Sequence, residues 1–407
     1  MKETGSYEGS KEKSAAVSDA HDRERSLEQI GERAMRKINE RVRERFTGKP
    51  YHNPEHSEGV GAAVKQGLDV AAESGMTVTK EMRRAARFAA AAHDMVIRER
   101  VNMTPGTFGY GTTMRYRGFA DKMPPAVREA IKQDVIAGER NRHGNEEASW
   151  LELEQIMNEE DPEGVYFTPN VRRMTRAGIA ATYPDVEFPA PFPSPDDVKI
   201  ERRNAKGEVE AIVDLTDALP KKDGRPAGLK FFQPFVTAES SLVTALIAIG
   251  DLSEGGRVEA REFRKKGNAE FWELRELLRR RIADGFADLS DKPEDRAVEM
   301  ANAAKDMLAW AQTQIGFLLW QKIRFAEILQ NSPDMNERFR EKMRQIYSHF
   351  DENILDAHER ASGLSGRFGH LREPAVFAQN PHAETELRDL AHMMDYDEFP
   401  LPETLPA

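Results

Sequence analysis

The sequence predicts an all-α fold with one short β excursion. Three observations carry that prediction. Apolar residues recur at three- and four-residue steps over most of the 407 positions, as on one face of a helix. Residues 184–235 alone break the pattern: prolines cluster there, and an alternating stretch flanks Asn204-Ala205-Lys206-Gly207 as a β-hairpin would. No stretch approaches the ~18 uninterrupted apolar residues of a membrane helix.

Composition narrows the chemistry. Charged residues make up 32% and apolar residues 39% of the chain, which suits long helices with solvated faces. A formal charge of -11 argues against a nucleic-acid polymer as partner, because no basic excess is available to neutralise phosphates. It leaves room for a small phosphorylated substrate where a metal inverts the local field. There is no cysteine, so any metal must be held by His, Asp or Glu. The lack of disulfides fits the cytoplasm, the expected location.

Residues 1–25 are polar and lack an apolar run, so they are expected to be a disordered tail and not a signal peptide. Leu27, Ile30, Ala34, Ile38, Val42 and Phe46 then mark a first helix, which Gly48-Lys49-Pro50 ends. YHNPEH opens a second, with Asn53 as cap, Pro54 in the first turn and Glu55 at the positive helix end. Val60, Val64, Leu68 and Val70 form its apolar face before Ser74-Gly75. A third, alanine-rich helix starts near Thr79 and runs into AAAAHDMV. A loop is expected over 101–124, a helix over Pro125–Ala137, and further helices through LELEQIMN and NVRRMTRAGIAATYP. After the β excursion, ALIAIGDLSEGG resumes a strongly apolar helix that stops at Gly255-Gly256. Helices near 258–284, 293–330 and 333–362 follow, and 371–407 is weakly patterned. The divisions are a helical domain over 26–256, containing the insertion 184–235, and a C-terminal helical region over 257–370.

Polar residues inside apolar helices are the candidates for chemistry. His52 and His56 stand four apart at a helix start, His93-Asp94 follows four alanines, and Asp251 sits late in an apolar helix. Each has a plain reading as a cap or a satisfied hydrogen bond. Together they have another. A buried, unpaired aspartate is costly, and a cation shared by His56, His93, Asp94 and Asp251 would supply the missing partner. Imidazole with carboxylate suits Mn, Fe, Co, Ni or Zn, and Mg where carboxylate and water dominate.

At these residues a resemblance is visible. YHNPEHSEGV resembles the YHNxxHxxDV signature of class I cyclic-nucleotide phosphodiesterases, with Gly59 where the signature has Asp. AAAAHDMV resembles the motif that names the HD-domain superfamily of metal-dependent phosphohydrolases. The order is similar to that of a group of bacterial HD phosphohydrolases with an NE..S motif, here Asn145-Glu146-Glu147-Ala148-Ser149. The resemblance covers about residues 27–255 and implies an HD-type helical bundle. It implies His56, His93, Asp94 and Asp251 as ligands of one or two divalent metal ions. It also implies His52 as the acid that protonates the leaving oxygen, and Glu146 or Glu147 as partners of a ligand or of a water. Arg98, Arg172 and Arg176 are the nearest cations for a phosphate. The expected activity is hydrolysis of a nucleotide or other small phosphate ester. The alternative is a catalytically silent HD-fold scaffold that binds a nucleotide or a protein.

Two features are read plainly. Trp310, Phe317, Leu318, Leu319 and Trp320 form helix core or a homodimer face, and the hairpin over 196–214 is a lid or a structural flap.

Overall fold

The computed structural model of the chain describes residues 8–46, 49–96, 144–204 and 206–399, with the side chains of the first helix described from Glu24 onward. The loop expected over 101–124, the helix expected over Pro125–Ala137 and Arg98 lie outside the described residues.

Six helices build the half that carries the candidate ligands: α1 (Glu8–Phe46), α2 (Pro54–Glu73), α3 (Lys80–Ala92), α4 (Gly144–Glu160), α5 (Pro169–Ala181) and α6 (Leu242–Leu252). The expected apolar faces are the buried ones. Ala34, Ile38, Val42 and Phe46 of α1 and Val60, Val64, Leu68 and Val70 of α2 all sit in the core. Helix α6 is buried from Leu242 to Gly250 and packs against α2, α3 and α5, so it is the axis of the bundle. Such all-round apolarity is what a central helix needs. Helix α1 begins at Glu8, inside the segment expected to be a disordered tail. Residues 8–25 are rich in Glu, Lys, Ala and Arg, which favour helix even without an apolar stripe.

The excursion holds more strand than the expected hairpin. Strands β2 (Lys199–Arg203) and β3 (Val209–Asp214) form that hairpin, closed by Asn204 and Gly207 at φ +80°. A separate three-stranded antiparallel sheet has the order β1 (Asp185–Pro191), β5 (Arg225–Phe232), β4 (Lys221–Lys222). Of the two prolines that hid β1, Pro189 sits where its register with β5 shifts, between Glu187 and Ala190, and is not asked for an N–H it lacks, while Pro191 pairs with Ala227 at the strand's last residue.

The C-terminal half wraps one long helix. Helices α7 (Glu254–Arg257), α8 (Ala260–Leu274) and α9 (Glu276–Ala283) lead into α10 (Pro293–Asn331). Then come α11 (Glu337–Ile346), α12 (Phe350–Phe368), α13 (Pro374–Gln379) and α14 (Ala383–His392). Strand β5 lies directly on α10, backbone against backbone: a Cβ on Gly228 would stand 2.8 Å from the Gly316 Cα. Only two glycines permit that approach. Trp310, Leu318, Leu319 and Trp320 are buried, and Trp320 stacks on Phe192, so that cluster is core. The segment expected to be weakly patterned after 371 is helical, with Leu387 and Leu390 buried and α13 and α14 packed on α10. Its apolar residues are too few to show a period, but they meet a surface already prepared for them. Among the described residues, no helix is long and apolar enough to cross a membrane.

Candidate metal centre

Three helix ends deliver the ligands. Asn53, in an extended conformation, caps α2 by accepting from the His56 N–H at 3.0 Å, while its own amide donates to the Pro50 carbonyl at 2.9 Å. That cap fixes His56 in the first turn of α2. His93 ends α3, and its Nδ1 lies 2.8 Å from the Ala90 carbonyl. A carbonyl can only accept, so Nδ1 carries a hydrogen and Nε2 is the nitrogen that faces the cluster. Asp94 follows at once, and Asp251 comes from the last turn of α6.

Three of the four side chains come together: ligand atoms of His56, His93 and Asp251 all lie within 4.8 Å of one another, and Asp94 stands against both imidazoles. Asp94 Oδ2 lies 3.1 Å from His93 Nε2 and 3.4 Å from His56 Nε2. Asp251 Oδ1 lies 3.5 Å and 3.9 Å from the same two nitrogens. Ligand atoms roughly 2.1 Å from one tetrahedral ion stand about 3.4 Å apart, so His56, His93 and Asp251 are placed to share a cation, with Asp94 beside them. His93 is 1% exposed, and its Nε2 faces two carboxylate oxygens within 3.5 Å. A buried nitrogen set between carboxylates is stabilised by a positive charge, from a proton on the ring or from a cation at the centre.

The electrostatics point the same way. Burial works against charge on His93, yet Asp94 and Asp251 pull its ring well above the ordinary imidazole value. Burial likewise opposes ionised Asp94, but His93 and His56 hold its carboxyl well below the usual range. The cluster demands a positive charge at its middle, whether a proton or a metal ion. Tyr51 packs its ring 4.8 Å from that of His56. Burial, with Glu270, Glu254, Asp251 and Asp94 adding to it, pushes its phenol well up.

The other expected residues surround this centre. His52 is 8% exposed, with its ring 6.2 Å from that of His56. Its Nδ1 lies 2.6 Å from Glu273 Oε1, and Glu273 Oε2 accepts from the N–H groups of Tyr51 and His52 at 2.9 Å each. Burial alone would raise the Glu273 carboxyl, but His52 and those two N–H groups bring it down to about 2. Glu146, in the first turn of α4, is buried. Burial pushes its carboxyl to about 8, and the charges of Asp94 and Asp251 add to the rise. Glu147 is half-buried on the same turn.

Two expected phosphate contacts are engaged in packing between α4 and α5. Arg172 donates to the Phe167 carbonyl and to Asn158, and Arg176 lies over the Trp150 ring beside Glu154. The hairpin makes its outward ion pair, Arg202 to Glu359, with α12, which carries no cluster ligand. Glu273 is the residue sequence reasoning missed. It sits in the C-terminal region, 221 residues after His52, with no motif spacing to mark it.

No family model, curated protein or solved structure matches the chain.

Proposed function

We propose that the protein is a metal-dependent phosphohydrolase of the HD type, acting on a small phosphate ester such as a nucleotide. The observation that carries this reading is the approach of Asp94 Oδ2 and Asp251 Oδ1 to the buried His93 Nε2, with His56 in the same group. A bound divalent ion would acidify water and screen the phosphoryl oxygens, which otherwise repel a nucleophile.

The chain's own residues supply the rest. His56 and His93 offer neutral nitrogens, while Asp94 and Asp251 bring the negative charge that makes the site selective for a divalent cation. Glu273 fixes the His52 ring by accepting at Nδ1, which leaves Nε2 to hold a proton. Water would add to phosphorus with loss of a proton to solvent, the ester P–O bond would break, and the leaving oxygen would take its proton from His52, which regains one from solvent. The raised carboxyl of Glu146 remains a hydrogen-bond donor at neutral pH beside the cluster.

The test is elemental analysis of the purified protein beside His93→Ala and Asp251→Asn. About one equivalent of a divalent metal per chain is expected in the wild type, and a loss in both variants. Manganese-supported hydrolysis of a phosphomonoester or a cyclic nucleotide should disappear with it. Failure to hold metal even after reloading with manganese would overturn the reading. Metal retention without hydrolysis of any ester would favour the silent scaffold.

A further inference from the structure

Beside the centre lies a cavity of about 410 Å³, lined by Tyr51 and His56 on one side and by Ala269 of α8, Glu398 and Phe399 on the other. That volume is within the range of small-molecule sites. His56 and Tyr51 belong to both the cavity and the cluster, so whatever occupies the cavity reaches the ligands. Its far wall comes from the last described residues of the chain, and that wall is firmly placed. Trp272 Nε1 donates to the Met394 carbonyl at 2.6 Å, and Asn268 Nδ2 donates to Asp395 Oδ2 at 2.6 Å. Tyr396 Oη donates to the Arg279 carbonyl at 3.1 Å, and Lys265 pairs with Glu398. Asp395 turns the chain with φ +55°, a conformation that aspartate tolerates better than most residues. All four tethers run to α8 and α9, and α8 also carries Glu273.

We infer that this cavity takes a planar, ring-bearing organic group of the phosphate ester, and that Phe399 sets the preference for it. The inference rests on the phosphohydrolase reading and names its substrate class. Tyr51 and Phe399 present aromatic surface to the occupant, and Pro50 adds an apolar edge. Aromatic wall surface favours contact with a flat ring over an alkyl chain. The lining charges come in both signs, Lys49, Lys265 and Lys266 against Glu55, Glu262 and Glu398, so they give no preference for a second anionic group.

The experiment uses two probes of equal charge, phenyl phosphate and methyl phosphate, titrated calorimetrically into the full chain. Wild type is expected to bind phenyl phosphate about tenfold tighter, as partial burial of a phenyl ring would give. Phe399→Ala should bring the two affinities within about twofold, chiefly by weakening phenyl phosphate, and Phe399→Leu should fall between. Wild-type metal content by elemental analysis shows that the variants remain folded. Equal binding of the two probes by wild type, or an undiminished ratio in Phe399→Ala, would overturn the inference and leave the phosphohydrolase reading standing. Binding of neither probe, together with no metal by elemental analysis, would overturn both.

Discussion

Each half of the molecule buries charge, and two of these sites resolve it in different ways. In the C-terminal half, Arg275 and Asp306 form a pair at 3.0 Å, with side chains 3% and 0% exposed. Opposite charges are both supplied by the chain, and in charge the pair is closed. In the other half, the carboxylates of Asp94 and Asp251 face the imidazoles of His56 and His93, with no Lys or Arg ion pair to either carboxylate among the described residues. A closed pair is explained by folding alone. A cluster that pulls one imidazole up and one carboxyl down calls for a positive charge at its middle, which a proton or a cation can supply.

The largest effect that would break this contrast is in the closed pair. Asp306→Ala should lower stability by about 3–5 kcal/mol in denaturant unfolding, since it strands a buried guanidinium, and should leave metal content unchanged. Asp251→Asn should do the reverse, abolishing metal binding while the chelated protein changes by about 1 kcal/mol or less. Equal destabilisation by the two would erase the distinction.

Next comes the acid response of Glu273. Its folded carboxyl lies near 2 against an ordinary 4.5, so its stabilisation is fully present above 4.5 and is lost as pH falls from there toward 2. The linked change is about 3 kcal/mol, and Glu273→Gln should flatten that part of the curve of stability against pH. A variant that keeps the full wild-type slope would mean that the carboxylate is not held by His52 and the two N–H groups.

Removal of metal by a chelator should cost about 2–3 kcal/mol when the free ion stood near a hundred times its Kd, read as a drop in Tm. His93→Ala should show no response to chelator at all. The smallest effect belongs to the exposed pair Arg202–Glu359, with side chains 45% and 65% exposed. Arg202→Ala should change stability by no more than about 0.5 kcal/mol, because water already solvates both ends.

The open cluster was legible in the sequence and the closed pair was not. His56, His93, Asp94 and Asp251 stood out because each is a polar residue at the end of an apolar helix, where solvent does not explain it. Asn53, Pro54 and Thr79 gave away the helix starts through the chemistry of caps, which is local. Glu273 was invisible because its role depends on the far end of another element returning to the Tyr51–His52 backbone. Strand β1 was hidden for a different reason: Pro189 and Pro191 argue against a ladder, and only the register shift that accommodates Pro189 reconciles them. The helices after Leu371 lacked a period of their own, because α10 provides the surface that orders them.

The bonds to Glu273 bear on how far this chain can be divided. A fragment ending at residue 256 would retain all four ligands and every motif that suggested them. It would also lose the carboxylate that gathers the N–H groups of Tyr51 and His52, and with it the anchor of the turn preceding α2. Such a piece would carry the recognisable signature while lacking the carboxylate that holds the His52 ring. Modularity judged from motifs alone would place the cut there, on the wrong side of these bonds.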